Sequence, residues 1–377
     1  MGHYVIIGGG GYLGANVIRA LQKNGYQERI IVVDPTPMEF PTVQFSRQLV
    51  DVVEKSFLDP QVLQEVLPGA ETVIHLAAVG HMGMVACDRK FVFEFNVNGT
   101  IKLVEACKRH GVSRFLYASS VAVAFVGVPL LNASEDDPLP NPKLYLDYYS
   151  ASKAEAEKYV LSQSTSTFKT VALRFRGIYG AEDPNVTRKV ADLIRKRLFL
   201  ARVSIHDRES NSMASSAANC AKAFALADHM LKKTDGIHAQ SYYIMDQEIT
   251  GQYEFWTPLV HALGRTPPSI FLKNYKIAKA VVYVQQLFCY HVLGFAPILT
   301  MFELAILAMD NTYSIEKARR ELGYEPEPNS MAEVAAHYRM LATREMSKWN
   351  WIIGTISIAA FAMIVISLMS FFWKSVE

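Results

Sequence analysis

No two of the four cysteines, Cys87, Cys107, Cys220 and Cys289, are closer than 20 residues. That spacing fits neither a thiolate metal site nor a redox pair. Four cysteines in 377 residues also exclude a disulfide framework and suit a reducing compartment. Charge of one sign is scarce as well: 38 basic residues face 36 acidic ones, for a net charge of +2 with no long run of either sign. Binding nucleic acid by bulk charge is thereby excluded. Repeats and low-complexity stretches are absent. Residues 1–7 run straight into a glycine cluster, so no signal peptide is expected. Position 6 is Ile6, not the Ser or Thr that myristoylation needs. The sequons at Asn98, Asn132 and Asn185 would matter only in a lumenal protein.

Half of the chain is apolar and 20% is charged, enough apolar material for a full core and too much for disorder. Residues 352–372 form a run of 21 without a charge. At about 1.5 Å per residue that is roughly 31 Å of helix, the thickness of a bilayer core. Trp349 and Trp351 stand before the run and Trp373 after it, where interfacial rings prefer to sit. A transmembrane helix over 351–373 is expected. Arg339, Arg344 and Lys348 precede it and only Lys374 follows, so the positive-inside tendency puts the N-terminal part in the cytosol. The protein reads as tail-anchored, with the endoplasmic reticulum as its expected membrane. Residues 280–302 are a second uncharged stretch, 23 long but broken by Gln285, Gln286, His291 and Pro297. We read it as an apolar wall of the substrate site or a surface dipping into the membrane interface.

From the start to about residue 180, strand-length apolar runs at 4–7, 30–33, 72–76, 115–119 and 170–174 alternate with helical patterns at 12–23, 97–110 and 149–162. Nearly unbroken apolar strands with crossover helices indicate a doubly wound, parallel-sheet α/β Rossmann fold. The domain reading is a nucleotide-binding domain over 1–180, a substrate-binding region over 181–345 interleaved with that core, and the anchor.

Gly8-Gly9-Gly10-Gly11-Tyr12-Leu13-Gly14 follows the first strand and opens a helix. Gly8 and Gly11 let the backbone turn tightly and approach a pyrophosphate, Gly14 lets helix and strand pack closely, and the phosphates meet the positive end of the helix dipole. Asp34 ends the second strand, 20 residues beyond Gly14. A carboxylate there accepts hydrogen bonds from the adenosine ribose hydroxyls and repels a 2′-phosphate, so NAD is expected rather than NADP. Tyr149 and Lys153 lie one helical turn apart on one face. An alcohol dehydrogenase needs a base for the hydroxyl proton, and tyrosine, with a free pKa near 10, needs neighbouring positive charge to serve. Ser120, at a strand end 29 residues before Tyr149, could orient the substrate oxygen.

Further motifs complete a pattern: Ile74-His75-Leu76-Ala77-Ala78, Asn96-Val97-Asn98-Gly99-Thr100, Leu173-Arg174-Phe175-Arg176-Gly177-Ile178-Tyr179-Gly180, and Lys317-Ala318-Arg319-Arg320-Glu321-Leu322-Gly323-Tyr324. With these the chain resembles, over nearly its whole length, the 3β-hydroxysteroid dehydrogenase/isomerase family of extended short-chain dehydrogenases/reductases. The 42E branch is the nearest likeness, and the sterol-4-carboxylate decarboxylating dehydrogenases come next. The resemblance implies that Tyr149 accepts the proton, Lys153 binds the nicotinamide ribose and depresses the tyrosine pKa, and Ser120 holds the substrate oxygen. It also implies that Ala77 and Asn96 line the NAD site and that Ile178 lies near the carboxamide. Phe175 replaces the family's usual proline, Ser56 an adenine-binding aspartate and Ile7 a common threonine. Of a Val-Asp-Asn-containing stretch at 211–219 only Asn219 remains, with Ala218 at the aspartate.

The implied activity is NAD-dependent oxidation of the 3β-hydroxyl of a steroid or sterol to a ketone, with Δ5–Δ4 isomerisation or, in a sterol-4-carboxylate dehydrogenase, decarboxylation as its extension. The expected partners are that substrate, the bilayer and a second copy in a homodimer, with no nucleic acid and no metal. Two rivals remain. A nucleotide-sugar epimerase or dehydratase would need basic contacts to a pyrophosphate and has no use for a membrane. A non-catalytic NAD-binding Rossmann protein has no need of Tyr149, Lys153 and Ser120.

Overall fold

Strands covered by helices on both faces are mostly apolar, with polar residues gathering at their ends. The computed structural model describes residues 2–344 and shows seven such strands. They are β1 (His3–Ile7), β2 (Ile30–Val33), β3 (Val50–Val53), β4 (Ala70–His75), β5 (Arg114–Ser120), β6 (Lys169–Phe175) and β7 (Gln240–Ile244). All pair in parallel, in the order β7-β6-β5-β4-β1-β2-β3. The strand order reverses between β1 and β4, and ligands of doubly wound sheets sit at that switch point.

Helices Tyr12–Lys23 and Ala217–Lys233 pack together on one face, where Val17, Leu21 and Phe224 join Ile6, Leu116 and Leu173 of the sheet. On the other face Pro60–Val66, Thr100–Arg109 and Tyr148–Ser162 bury Leu63, Leu103 and Val160 against Val5, Val73 and Phe115. The five strands expected from the sequence all form. β3 escapes a purely apolar reading because it is an edge strand with Asp51 in it and no buried residue. β7 comes from beyond residue 180, so the central sheet draws on the late region as well.

The late region adds a small four-stranded sheet in which Leu130–Ala133 pairs with Asn311–Tyr313. The Glu316–Leu322 helix stops at Gly323, whose φ of +65° is in the left-handed region glycine favours. Residues 280–302 are not one helix. Tyr275–Phe288 is α-helical, Cys289–Leu293 widens to a π turn, Gly294 turns the chain at φ +67°, and Met301–Ala308 starts afresh under a Thr300 cap. Among the described residues no helix is long and apolar enough to cross a membrane. The apolar run at 352–372 lies outside them.

Candidate active site

Gly8 leaves β1 with φ +77°, and its amide donates to the Val33 carbonyl at 2.8 Å. A Cβ on Gly8 would lie 2.6 Å from the Ala77 nitrogen, and one on Gly14 would lie 2.2 Å from the Gly9 carbonyl oxygen. The glycine loop, the end of β4 and the first helix are therefore in backbone contact. No side chain caps the start of that helix, which leaves its first amides for an anion. Both Asp34 oxygens are oriented, Oδ2 accepting from the Gly10 amide at 3.2 Å and Oδ1 from the Thr36 amide at 3.0 Å. The cradle fits an NAD pyrophosphate and adenosine ribose, with Gly8, Gly11, Gly14 and Asp34 brought to one place. Ile178 packs against the cluster formed by Tyr12, Ala15, Phe40, Val43 and Ala217.

Asn96 sits in a π turn, Glu94–Gly99. Its Nδ2 donates to the Val79 carbonyl and to Ser152 Oγ, both at 2.9 Å, and its Oδ1 accepts from the Val79 amide at 2.8 Å. The amide thus ties the loop after β4 to the tyrosine helix. Phe175, where the family has proline, is buried against Phe224 with ring centroids 5.5 Å apart. Asn219 bridges Asp246 and the Glu327 backbone, a structural tie that accounts for its presence without a substrate.

Tyr148–Ser162 begins under Asp147, whose Oδ1 accepts from the Ser150 amide at 2.7 Å. The helix brings Tyr149 against Ser120 at the end of β5. Burial pushes the Tyr149 hydroxyl up to about 12; a hydrogen bond with Ser120 acts against this and the Asp147 charge adds to it. Lys153 lies one turn further along the helix. Its Nζ donates to the Ala118 carbonyl at 2.5 Å and lies 3.9 Å from the Tyr117 ring centroid. Burial brings it down to about 7, opposed by Glu157. Loss of hydration is the largest influence on both groups, the phenol and the ammonium.

Glu157, one turn beyond Lys153, accepts from Arg174 at 2.6 Å and from Ser119 at 2.5 Å, with both members of the ion pair buried. The signal for this pair is an arginine directly after the apolar run Val171-Ala172-Leu173 of β6 and a glutamate eight residues after Tyr149 on the same helix.

Beyond His81, whose ring packs on Tyr149, opens a cleft of about 1150 Å³. Its walls come from His81, from Tyr145, Asp147 and Tyr148, and from Leu287, Tyr290, Pro297 and Phe302 of the late region. The 280–302 stretch is thus an apolar wall of the cleft. His81 packs its ring 5.6 Å from Tyr149 and 5.3 Å from Phe302.

A switch-point dinucleotide cradle beside a Ser-Tyr-Lys constellation defines a Rossmann-type short-chain dehydrogenase. The 3-beta hydroxysteroid dehydrogenase/isomerase family model matches residues 5–274, and the chain belongs to that family, whose members are NAD-dependent oxidoreductases acting on CH–OH groups. It is 36% identical over 310 residues to a Caenorhabditis elegans 3beta-hydroxysteroid dehydrogenase/Delta(5)-Delta(4) isomerase 1, a match spanning 82% of this chain and 66% of that longer relative. To short-chain dehydrogenase/reductase family 42E member 1 of Mus musculus it is 32% identical, over 89% of this chain and 86% of the relative. Among solved structures, a Thermus thermophilus UDP-glucose 4-epimerase in complex with NAD shares the fold at a TM-score of 0.65 and 20% identity, covering 89% of this chain and 99% of that one. That of gox2253 aligns at a TM-score of 0.70 and 23% identity, covering 90% and 99%.

Proposed function

We propose that this enzyme oxidises the 3β-hydroxyl of a steroid or sterol to the ketone, with Δ5–Δ4 isomerisation as a further step, while held at the endoplasmic reticulum membrane by residues 352–372 with its catalytic part in the cytosol. The observation that carries this reading is the large cleft with an apolar wall, which reaches Tyr149 through His81 and suits a rigid apolar alcohol. Val292, Leu293 and Phe295 of the same stretch are exposed. Such a surface fits a lipid interface from which the substrate would enter.

Ser120 and Tyr149 grip the substrate oxygen from β5 and the helix, and Tyr149 Oη takes the hydroxyl proton as C3 loses its hydride. Bound in the glycine-loop cradle, NAD supplies the hydride acceptor, and its positive charge favours tyrosinate. Lys153 would hold the nicotinamide ribose, with Glu157 and Arg174 behind it. We test this by following NADH formation by the detergent-solubilised chain on a panel of 3β-hydroxysterols. Tyr149→Phe should bind NAD as the wild type does and lose about 10²- to 10⁴-fold in turnover. An active Tyr149→Phe enzyme would refute the assignment.

A further inference from the structure

Two polar side chains in the cleft take no part in hydride transfer. His81 lies on the loop that follows β4, which Asn96 holds through Val79. Its ring packs between those of Tyr149 and Phe302. Asp147 has only one oxygen engaged by the helix cap, and its Oδ2, closed off from solvent, accepts no hydrogen bond. Both residues line the cleft, and His81 is close enough for its charge to act on Asp147. Glu303 also acts on Asp147, from the Met301–Ala308 helix, but it is paired with Lys189. A buried carboxylate oxygen without a donor is costly, and an imidazole N–H is the donor at hand.

A 3-ketosteroid with O3 at Tyr149 and Ser120 presents C4 one bond, and C6 three bonds, from the carbonyl carbon. We propose that His81 and Asp147 form the proton-transfer pair that moves the C5–C6 double bond of this ketone into conjugation. The proposal rests on the dehydrogenase reading and assigns its isomerisation step to residues outside the Ser-Tyr-Lys set. His81 takes the C4 proton on its free ring nitrogen. The C–H electron pair becomes the C3–C4 double bond of a dienolate, and its oxyanion accepts hydrogen bonds from the Tyr149 and Ser120 hydroxyls. Burial keeps Tyr149 in the protonated form that this requires. The imidazolium, held by Asp147 Oδ2, then returns the proton to C6, leaving a C4–C5 double bond and the restored ketone. One C–H bond breaks, one forms, and no oxidant is consumed. His81 is the catalytic residue of this step and Asp147 a positioning residue.

The experiment gives the full chain NADH and a 3-oxo-Δ5-steroid, bypassing oxidation, and follows absorbance of the conjugated enone; oxidation of the matching 3β-alcohol is measured separately. His81→Gln should lower isomerisation about 10²- to 10⁴-fold relative to oxidation. It should also abolish transfer of deuterium from C4 to C6, read by mass spectrometry. Asp147→Asn keeps an oxygen for the helix cap, so a purely structural Asp147 predicts no effect, whereas the pair predicts a lower kcat for isomerisation at a held KM. Isomerisation at the wild-type rate in His81→Gln overturns the proposal. So does a wild-type chain that oxidises the alcohol and leaves the ketone unconjugated, with the dehydrogenase reading intact. Failure to oxidise any 3β-hydroxysteroid removes that reading and the pair together.

Discussion

Gly14 and Gly11 are glycine for different reasons. A methyl group on Gly14 would meet the Gly9 carbonyl oxygen at 2.2 Å, whereas on Gly11 its nearest neighbour would be the Gly8 carbonyl oxygen at an ordinary 3.6 Å, with Gly11 already in extended backbone. The fold demands the first; nothing in the protein demands the second. Gly14→Ala should therefore cost about 1–3 kcal/mol in chemical unfolding. Gly11→Ala should unfold as the wild type does yet bind NAD about tenfold or more weakly by calorimetry, a loss of about 1.4 kcal/mol. Lys153 provides a test in pH. Burial brings its folded pKa down to about 7 from the ordinary 10.5, so between these the unfolded chain holds a proton that the folded chain has shed. Stability from this residue rises with pH across that window and is lost as pH falls towards 7. Lys153→Met should remove that rise when wild type and variant are unfolded in denaturant from pH 7 to 10. The sequence shows Tyr149, Lys153 and Ser120 as candidates because residue type and spacing are local facts. It does not show that burial raises Tyr149 and lowers Lys153, since hydration is set by what packs around them.

At the scale of elements, the Tyr148–Ser162 helix is joined to the sheet by one buried ion pair. Glu157 and Arg174 have side chains 1% and 5% exposed, so neither charge has water to fall back on. Glu157→Ala leaves the guanidinium uncompensated and should destabilise by about 3–5 kcal/mol in urea unfolding. A second change, Arg174→Met, should restore part of that loss. The strands β1, β2, β4, β5 and β6 were legible because continuous apolar runs of strand length have few other uses. β3 was not, because an edge strand needs no such run. Nor was β7: its pairing with β6 joins residues about 70 positions apart, and no local pattern reports a partner so distant.

For the whole molecule, orientation at a membrane has a built-in test. Asn98, Asn132 and Asn185 are all exposed, so a catalytic part facing the lumen would be open to glycosylation at each sequon. In the proposed cytosolic orientation the protein expressed in animal cells should carry no glycan, and endoglycosidase treatment should leave its electrophoretic mobility unchanged. What the sequence alone determined is the periodic and the local: the doubly wound order of strands and helices, the glycine loop with Asp34 at its fixed spacing, and the Tyr149-Lys153 pair on one helix face. Each follows from backbone geometry within some twenty residues of chain. Only the tertiary structure decided that Asn96 clasps Val79 and Ser152, that Glu157 meets Arg174, and that the 280–302 stretch walls a cleft where His81 lies against Tyr149. Those contacts join distant segments, and their energies come from excluding water, which acts only once the chain has closed on itself.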